Sequence, residues 1–310
     1  MKKANQIQFH IGVHAMNKRI VLIIAGITVS LVLLFIISIG VAMYLIGDKG
    51  NIGRGGSIGV LEVKGVIVDA HDHIMQLNKF RDDRKIKAVV LRVDSPGGVV
   101  GPSQELSEEV RKFVRKKPLV VSMGSVAASG GYYIAAPANI IVANPGTVTG
   151  SIGVLMKMSN IQGLLGKVGM KSFILKSGRF KDSGSPVRPM TREDREVLQG
   201  VIDSMHGQFI KAVSEGRKIP LEEVRELADG RIFSGEQALA RKLVDRLGNF
   251  QDAVDTAAKM AGIKGEPKLV YPPEKKKSLL HLLVEGSSSL MLEKLEPQNG
   301  VEARYEIIAH

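Results

Sequence analysis

Residues 88–98 read AVVLRVDSPGG and residues 118–133 read PLVVSMGSVAASGGYY. Each segment opens with a short apolar run, the pattern of a strand buried on both faces. Each then passes into a glycine-rich turn, Asp94-Ser95-Pro96-Gly97-Gly98 in the first and Ala127-Ala128-Ser129-Gly130-Gly131-Tyr132-Tyr133 in the second. Ligand sites in α/β sheets lie beyond the carboxyl ends of strands, so both turns stand where a site is expected. Working outward, residues 58–68 are β-rich with Gly65 as a break, and 140–143 form another apolar strand. Residues 103–115 predict a helix on which Leu106, Val110 and Val114 recur on one side. A long helix is expected over 191–217, with Thr191 as its cap and Glu193 and Asp194 at its positive end. Shorter helices follow at 221–228, 235–242 and 250–261. Such alternation predicts one α/β domain over 58–264, with parallel strands and helices packed outside.

The 310-residue chain has no cysteine, which excludes disulfides, thiolate metal sites and a cysteine nucleophile. Its formal charge of +12 raises nucleic-acid binding, but the basic residues are scattered, tryptophan is absent and aromatics make up 5%. From Ile20 to Gly47 there is no charged residue. A helix of that length reaches about 40 Å, more than a ~30 Å hydrocarbon core requires. The run is too long for a cleavable signal peptide and ends Met43-Tyr44-Leu45-Ile46 instead of in small residues. An uncleaved anchor over 20–47 is therefore expected. Lys2, Lys3, Lys18 and Arg19 precede it and Asp48, Lys49 and Arg54 follow, so 1–19 is assigned to the cytoplasm and the rest of the chain to the extracytoplasmic side of the membrane. The glycine-rich stretch 48–57 reads as a flexible linker, and 265–310, with Pro272-Pro273 and Lys275 to Lys277, as a tail.

Ser129 opens a predicted helix, where backbone N–H groups favour developing negative charge. Alanines before it and glycines after it leave room for a substrate backbone. The N–H groups of Gly130 and of Gly97 or Gly98 are candidates for an oxyanion hole. The plainer account makes Ser129 a helix cap and the glycines turn formers, since serine is a preferred cap. A serine is also a weak nucleophile without a base. No histidine lies between His73 and His206. A desolvated lysine is the other candidate, and Ser177-Gly178-Arg179-Phe180-Lys181-Asp182 places one beside an aromatic. Composition and spacing leave a candidate nucleophile and no unique base.

Taken together, these residues resemble the signal peptide peptidase A family of bacterial membrane-bound Ser–Lys proteases. The likeness runs from about Ile58 to Leu247. It takes in the DSPGG turn, Ala128 to Tyr133, Thr149-Gly150-Ser151-Ile152-Gly153-Val154, Lys176-Ser177-Gly178, Lys181-Asp182 and Asp229 to Gly235. It implies that Ser129 is the nucleophile and Lys181 the general base, with Ser151 orienting the lysine. It also implies a fold like the Clp protease and crotonase group, no metal or organic cofactor, and apolar signal-peptide remnants as substrates. A ring-shaped homo-oligomer is implied too, bringing serine and lysine together from different subunits. By analogy, Arg304-Tyr305-Glu306-Ile307 is a candidate occupant of the active-site groove. A crotonase-type acyl-CoA enzyme, which an extracytoplasmic domain makes hard to accept, and a non-catalytic membrane scaffold are the rival readings.

Overall fold

The computed structural model describes residues 18–47, 56–273 and 303–306. They fall into two units divided between Gly53 and Arg54. The first contributes one helix, α1 (Lys18–Gly47), spanning the whole uncharged run. Its described apolar side chains are exposed. Over residues whose side chains are described, no helix is long and apolar enough to cross a membrane. The longest such unbroken stretch in α1 is 26–39, and the uncharged sequence continues on both sides of it. The linker expected over 48–57 lies outside the described residues as far as residue 55, and Ser57 is already paired in the sheet.

The second unit runs β1 (Ser57–Lys64), α2 (His71–Asp82), β2 (Ile86–Ser95), β3 (Gly97–Val99), α3 (Val100–Val114) and β4 (Leu119–Ala128). It continues with α4 (Gly130–Ala135), β5 (Ile140–Ala143), β6 (Val148–Gly150), β7 (Leu155–Met156) and α5 (Gln162–Lys167). Then come α6 (Arg192–Arg217), α7 (Leu221–Leu227), β8 (Ile232–Phe233), α8 (Gly235–Ala240) and β9 (Arg246–Leu247). The order closes with α9 (Phe250–Met260), β10 (Lys268–Val270) and β11 (Ala303–Glu306). The main sheet has the order β10-β1-β2-β4-β5-β9, all parallel, with β6 beside the far end of β4 and β8 antiparallel to β6. This is a mixed α/β fold with a mostly parallel sheet. The sheet passes beyond residue 264, because β10, within the stretch read as tail, pairs with β1.

The AVVLRV run behaves as its composition predicts. Val89, Leu91 and Val93 enter one apolar cluster with Leu106, Val110 and Phe113 of α3, whereas Ala88 and Val90 enter a second with Ala253, Val254 and Ala257 of α9. A strand covered by helices on both faces is apolar at nearly every position; the exception, Arg92, is half-buried near its carboxyl end and donates to Ser122 Oγ at 2.8 Å and to the Met123 carbonyl at 3.0 Å. Phe113 is fully buried against the larger cluster. Phe113→Ala should lower unfolding free energy by about 3–5 kcal/mol, checked by the denaturant midpoint at constant slope.

The site is positioned by a change of partner along β4. Its first half pairs with β5, and its last residues, Val126 to Ala128, pair with β6. Between these halves the register against β2 slips, from Val93↔Met123 to Ser95↔Ala127. The Val126 N–H freed by the slip donates to the Asp94 carboxylate at 3.1 Å. Thr147 Oγ1 donates to the Gly124 carbonyl at 2.7 Å and Thr149 Oγ1 to that of Ala127 at 2.6 Å. Buried backbone groups require such partners, and these fasten β6 to the end of β4.

Candidate active site

Ala128 is in register with Gly150, so the next residues of the paired strands, Ser129 and Ser151, emerge side by side. Both have positive φ, 52° and 51°, uncommon for a residue other than glycine, and Ser129, with ψ −118°, lies outside the left-handed well too. Such conformations cost on the order of 1–3 kcal/mol and persist only where surroundings over-determine them. Here the Ser129 N–H donates to the Gly150 carbonyl at 2.8 Å, and the Ser129 carbonyl accepts from Tyr133 N at 2.8 Å. The Ser151 N–H donates to the Arg231 carbonyl at 2.9 Å.

Ser129 does precede a helix, α4, but it does not cap it by a side-chain hydrogen bond. Its residue is 1% exposed, and Oγ has no hydrogen-bond partner among the described residues. A buried polar atom left unpaired costs about 1–3 kcal/mol. A capping serine would have avoided that cost, so the plain capping account fails. What remains is a hydroxyl held in a strained position with its proton uncommitted.

The two glycine-rich turns meet backbone to backbone. A Cβ on Gly131 would lie 2.7 Å from the Ser95 carbonyl oxygen, and one on Gly130 would lie 2.7 Å from Ser103 Oγ and 3.1 Å from Gly98 N. Of the two N–H groups considered in the first turn, that of Gly97 donates to Ser95 Oγ at 3.1 Å and is committed within the turn. Gly98 N is the one that faces Gly130. The bidding of Ser95 for the Gly97 amide escaped the sequence reading, because a serine before Pro-Gly-Gly reads as an ordinary turn residue.

Beside this junction lies a strand-shaped path. β3 is bonded on one edge to Ile67, whose N–H donates to the Gly97 carbonyl and whose carbonyl accepts from Val99 N, each at 2.8 Å. On the other edge β11 runs antiparallel to β3, with Tyr305 opposite Gly98, and also to β7, with Arg304 opposite Leu155. The C-terminal segment named in the sequence is thus paired, over Ala303–Glu306, with the strand that carries Gly97 and Gly98; Ile307 lies outside the described residues.

Lys181 stands apart. It is exposed, and among the described residues its ammonium has no hydrogen bond or ion pair, only its own N–H bonding to the Gly178 carbonyl at 3.2 Å. Next to it the Asp182 carboxylate accepts from Arg188 Nε at 2.8 Å and Nη2 at 2.9 Å, and it is paired with Lys176. Arg188 continues to Asp194, with Nη1 at 2.6 Å and Nη2 at 3.1 Å. Asp194 also accepts from Ser183 Oγ at 2.6 Å and from the Thr191 N–H at 3.0 Å. Its own N–H donates to Thr191 Oγ1, which completes the capping box of α6. Hydrogen bonds from Arg188, then from Lys176, hold the Asp182 carboxyl well below the usual carboxylate range. Arg188 and then Ser183 do the same for Asp194. The Thr191–Asp194 spacing was legible as a cap; the Arg188 bridge was not, because nothing local joins it to Asp182.

Comparison with known proteins places these features in a family. Residues 111–264, which include Ser129, Ser151 and Lys181, match the model of peptidase family S49. A putative protease of Synechocystis sp. is 41% identical over 231 residues, 74% of this chain and 83% of the relative. A putative signal peptide peptidase SppA of Enterococcus faecium is 38% identical over 213 residues, 64% of this chain and 62% of the relative. Protease 4 of Salmonella typhi is 38% identical over 220 residues, 68% of this chain and 35% of the relative.

Proposed function

The chain belongs to peptidase family S49 and is an SppA-like serine peptidase, and from that premise we propose that Ser129 is its nucleophile and Lys181 its general base. One observation carries the nucleophile: Ser129 Oγ is buried, unpartnered and held at positive φ. Lys181 with its proton off takes the hydroxyl proton as Oγ bonds to the scissile carbonyl carbon. The Gly130 and Gly98 N–H groups receive the charge that develops on the carbonyl oxygen. The C–N bond then breaks as Lys181 returns the proton to the leaving amine. Water attacks the ester with Lys181 again as base, releasing the acid and restoring Ser129. In this reading Ser151, which follows Gly150 as Ser129 follows its register partner Ala128, orients the lysine. The sheet order, with a serine at a strand-to-helix turn over a parallel sheet, supports the Clp protease and crotonase class of fold.

Two copies supply one site in this reading. Serine and lysine side chains both lack a partner among the described residues, and Leu164, Val168, Met170, Phe173 and Leu175, which precede the lysine in sequence, are 61% or more exposed. An apolar surface of that kind suits burial against a second copy in a closed ring. The substrate is an extended apolar peptide, laid where β11 lies against β3 and β7. An anchor through the uncharged run of α1 keeps the domain at the membrane, where signal-peptide remnants are found. A fluorophosphonate probe tests the activated serine directly. The wild type should be labelled, and Ser129→Ala should not. An unlabelled wild type at the pH of peptide hydrolysis would leave the scaffold or the acyl-CoA reading in its place.

A further inference from the structure

Between Ile152 and Phe209 the only buried residue is Asp194. This long excursion, which carries Lys181, buries no apolar side chain, and only Val154 and Met205, near its two ends, pack partly buried against the core. Packing therefore does not fix where the lysine stands, and polar bonds must. The Arg188 guanidinium commits all its N–H groups: Nε and Nη2 to the Asp182 carboxylate, Nη1 and Nη2 to that of Asp194, Nη1 to the Pro189 carbonyl at 2.9 Å and Nη2 to that of Asp182 at 3.1 Å. Bidentate contacts of a planar fork fix orientation as well as distance, which a lysine's point charge does not.

We propose that Arg188 is a positioning residue for the reaction: it ties the Lys181–Asp182 turn to the first turn of α6 and neutralises the carboxylate beside the base. The charged groups around this turn are Lys176, Arg179, Asp182, Arg188, Glu193 and Asp194, with Arg179 paired to Glu193. Three cations face three anions. Without Arg188 one anion is left over, and a nearby negative charge favours the protonated ammonium. Lys181 would then be both misplaced and less often free to accept a proton.

The inference rests on Lys181 being the base, and the test separates the two. Arg188→Gln, Arg188→Lys and Asp182→Asn/Arg188→Gln are compared with wild type and Lys181→Ala as full-length proteins, by hydrolysis of an apolar peptide across pH. Arg188→Gln should lose about 100-fold in kcat, the scale of a small misplacement of a catalytic group, with KM little changed. Its acid limb should move up by about one pH unit. Arg188→Lys should restore the limb but not the rate, because it returns the charge without the fork. The double variant should likewise return the limb toward wild type while kcat stays low. An Arg188→Gln enzyme with wild-type kcat and a superimposable pH profile overturns the proposal, provided Lys181→Ala is inactive. So does a uniform loss with an unmoved limb, which leaves Arg188 a structural residue only. An active Lys181→Ala instead removes the base assignment on which the proposal stands.

Discussion

Ser129→Ala and Lys181→Ala are each expected to lose hydrolysis of an apolar peptide by about 10⁴-fold or more, and a mixture of the two, assembled together, should regain activity. The loss follows from the chemistry: without Oγ no acyl-enzyme forms, and without the amine no group among those described near Ser129 accepts its proton. The recovery follows from the geometry. Among the described residues of one chain Ser129 Oγ is buried without a partner, while the exposed Lys181 ammonium has none either. If one subunit supplies the serine and its neighbour the lysine, each variant retains one intact half. Random mixing then gives an intact pair at about a quarter of the interfaces of a closed ring. Activity in the mixed sample, measured after the subunits are dissociated and reassembled together, should approach that fraction of wild type. A mixture as inert as its parents would put both residues in one chain and remove the shared site. Turnover in either variant alone would remove the pairing itself.

How much of this could be read before the structure depends on whether the information was local. The strands AVVLRV and PLVVSM declared themselves because both faces are buried, and the structure puts their alternate residues in two different clusters. The α6 cap was legible too, since Thr191 and Asp194 are three residues apart and the box they form needs nothing else. By contrast α2 was missed: its mean hydropathy is low and only Leu77 and Phe80 are buried, so periodicity is weak. The short strands β6 to β10 exist only through their partners, as two- or three-residue pairings that no local pattern announces. At the site, the positions of Ser129, Gly130 and Gly98 were legible from strand-plus-glycine logic. The hydrogen bond of the Gly97 N–H to Ser95 Oγ was not, because it depends on a hydroxyl turning back within its own turn. The Asp182–Arg188–Asp194 bridge beside Lys181 was equally hidden. It joins three charged residues across an excursion whose burial pattern, a single buried aspartate, is visible only in three dimensions.

Gly98→Ala should reduce kcat by at least about 100-fold although it adds one methyl group and removes no functional atom. The Cβ would lie 2.1 Å from the Ile67 carbonyl oxygen and 2.5 Å from its nitrogen. These are backbone atoms, so no side-chain rotation relieves the clash. The strand must move away from Ile67, loosening the two 2.8 Å bonds that join Ile67 to Gly97 and Val99. Gly98 N, which faces Gly130, moves with it, and an oxyanion donor displaced from its 2.7–3.1 Å position loses most of its effect. The edge of β3 that pairs with β11 shifts as well, so KM for an extended peptide should rise together with the fall in kcat. Gly101→Ala is the matched control. It sits in the first turn of α3 with nothing within 4 Å of the added Cβ, and alanine suits a helix better than glycine. That variant should turn over like wild type and unfold at slightly higher denaturant. Wild-type turnover in Gly98→Ala, with the clash confirmed by lowered stability, would take the first glycine turn out of the chemistry and leave Gly130 as the sole donor of this pair.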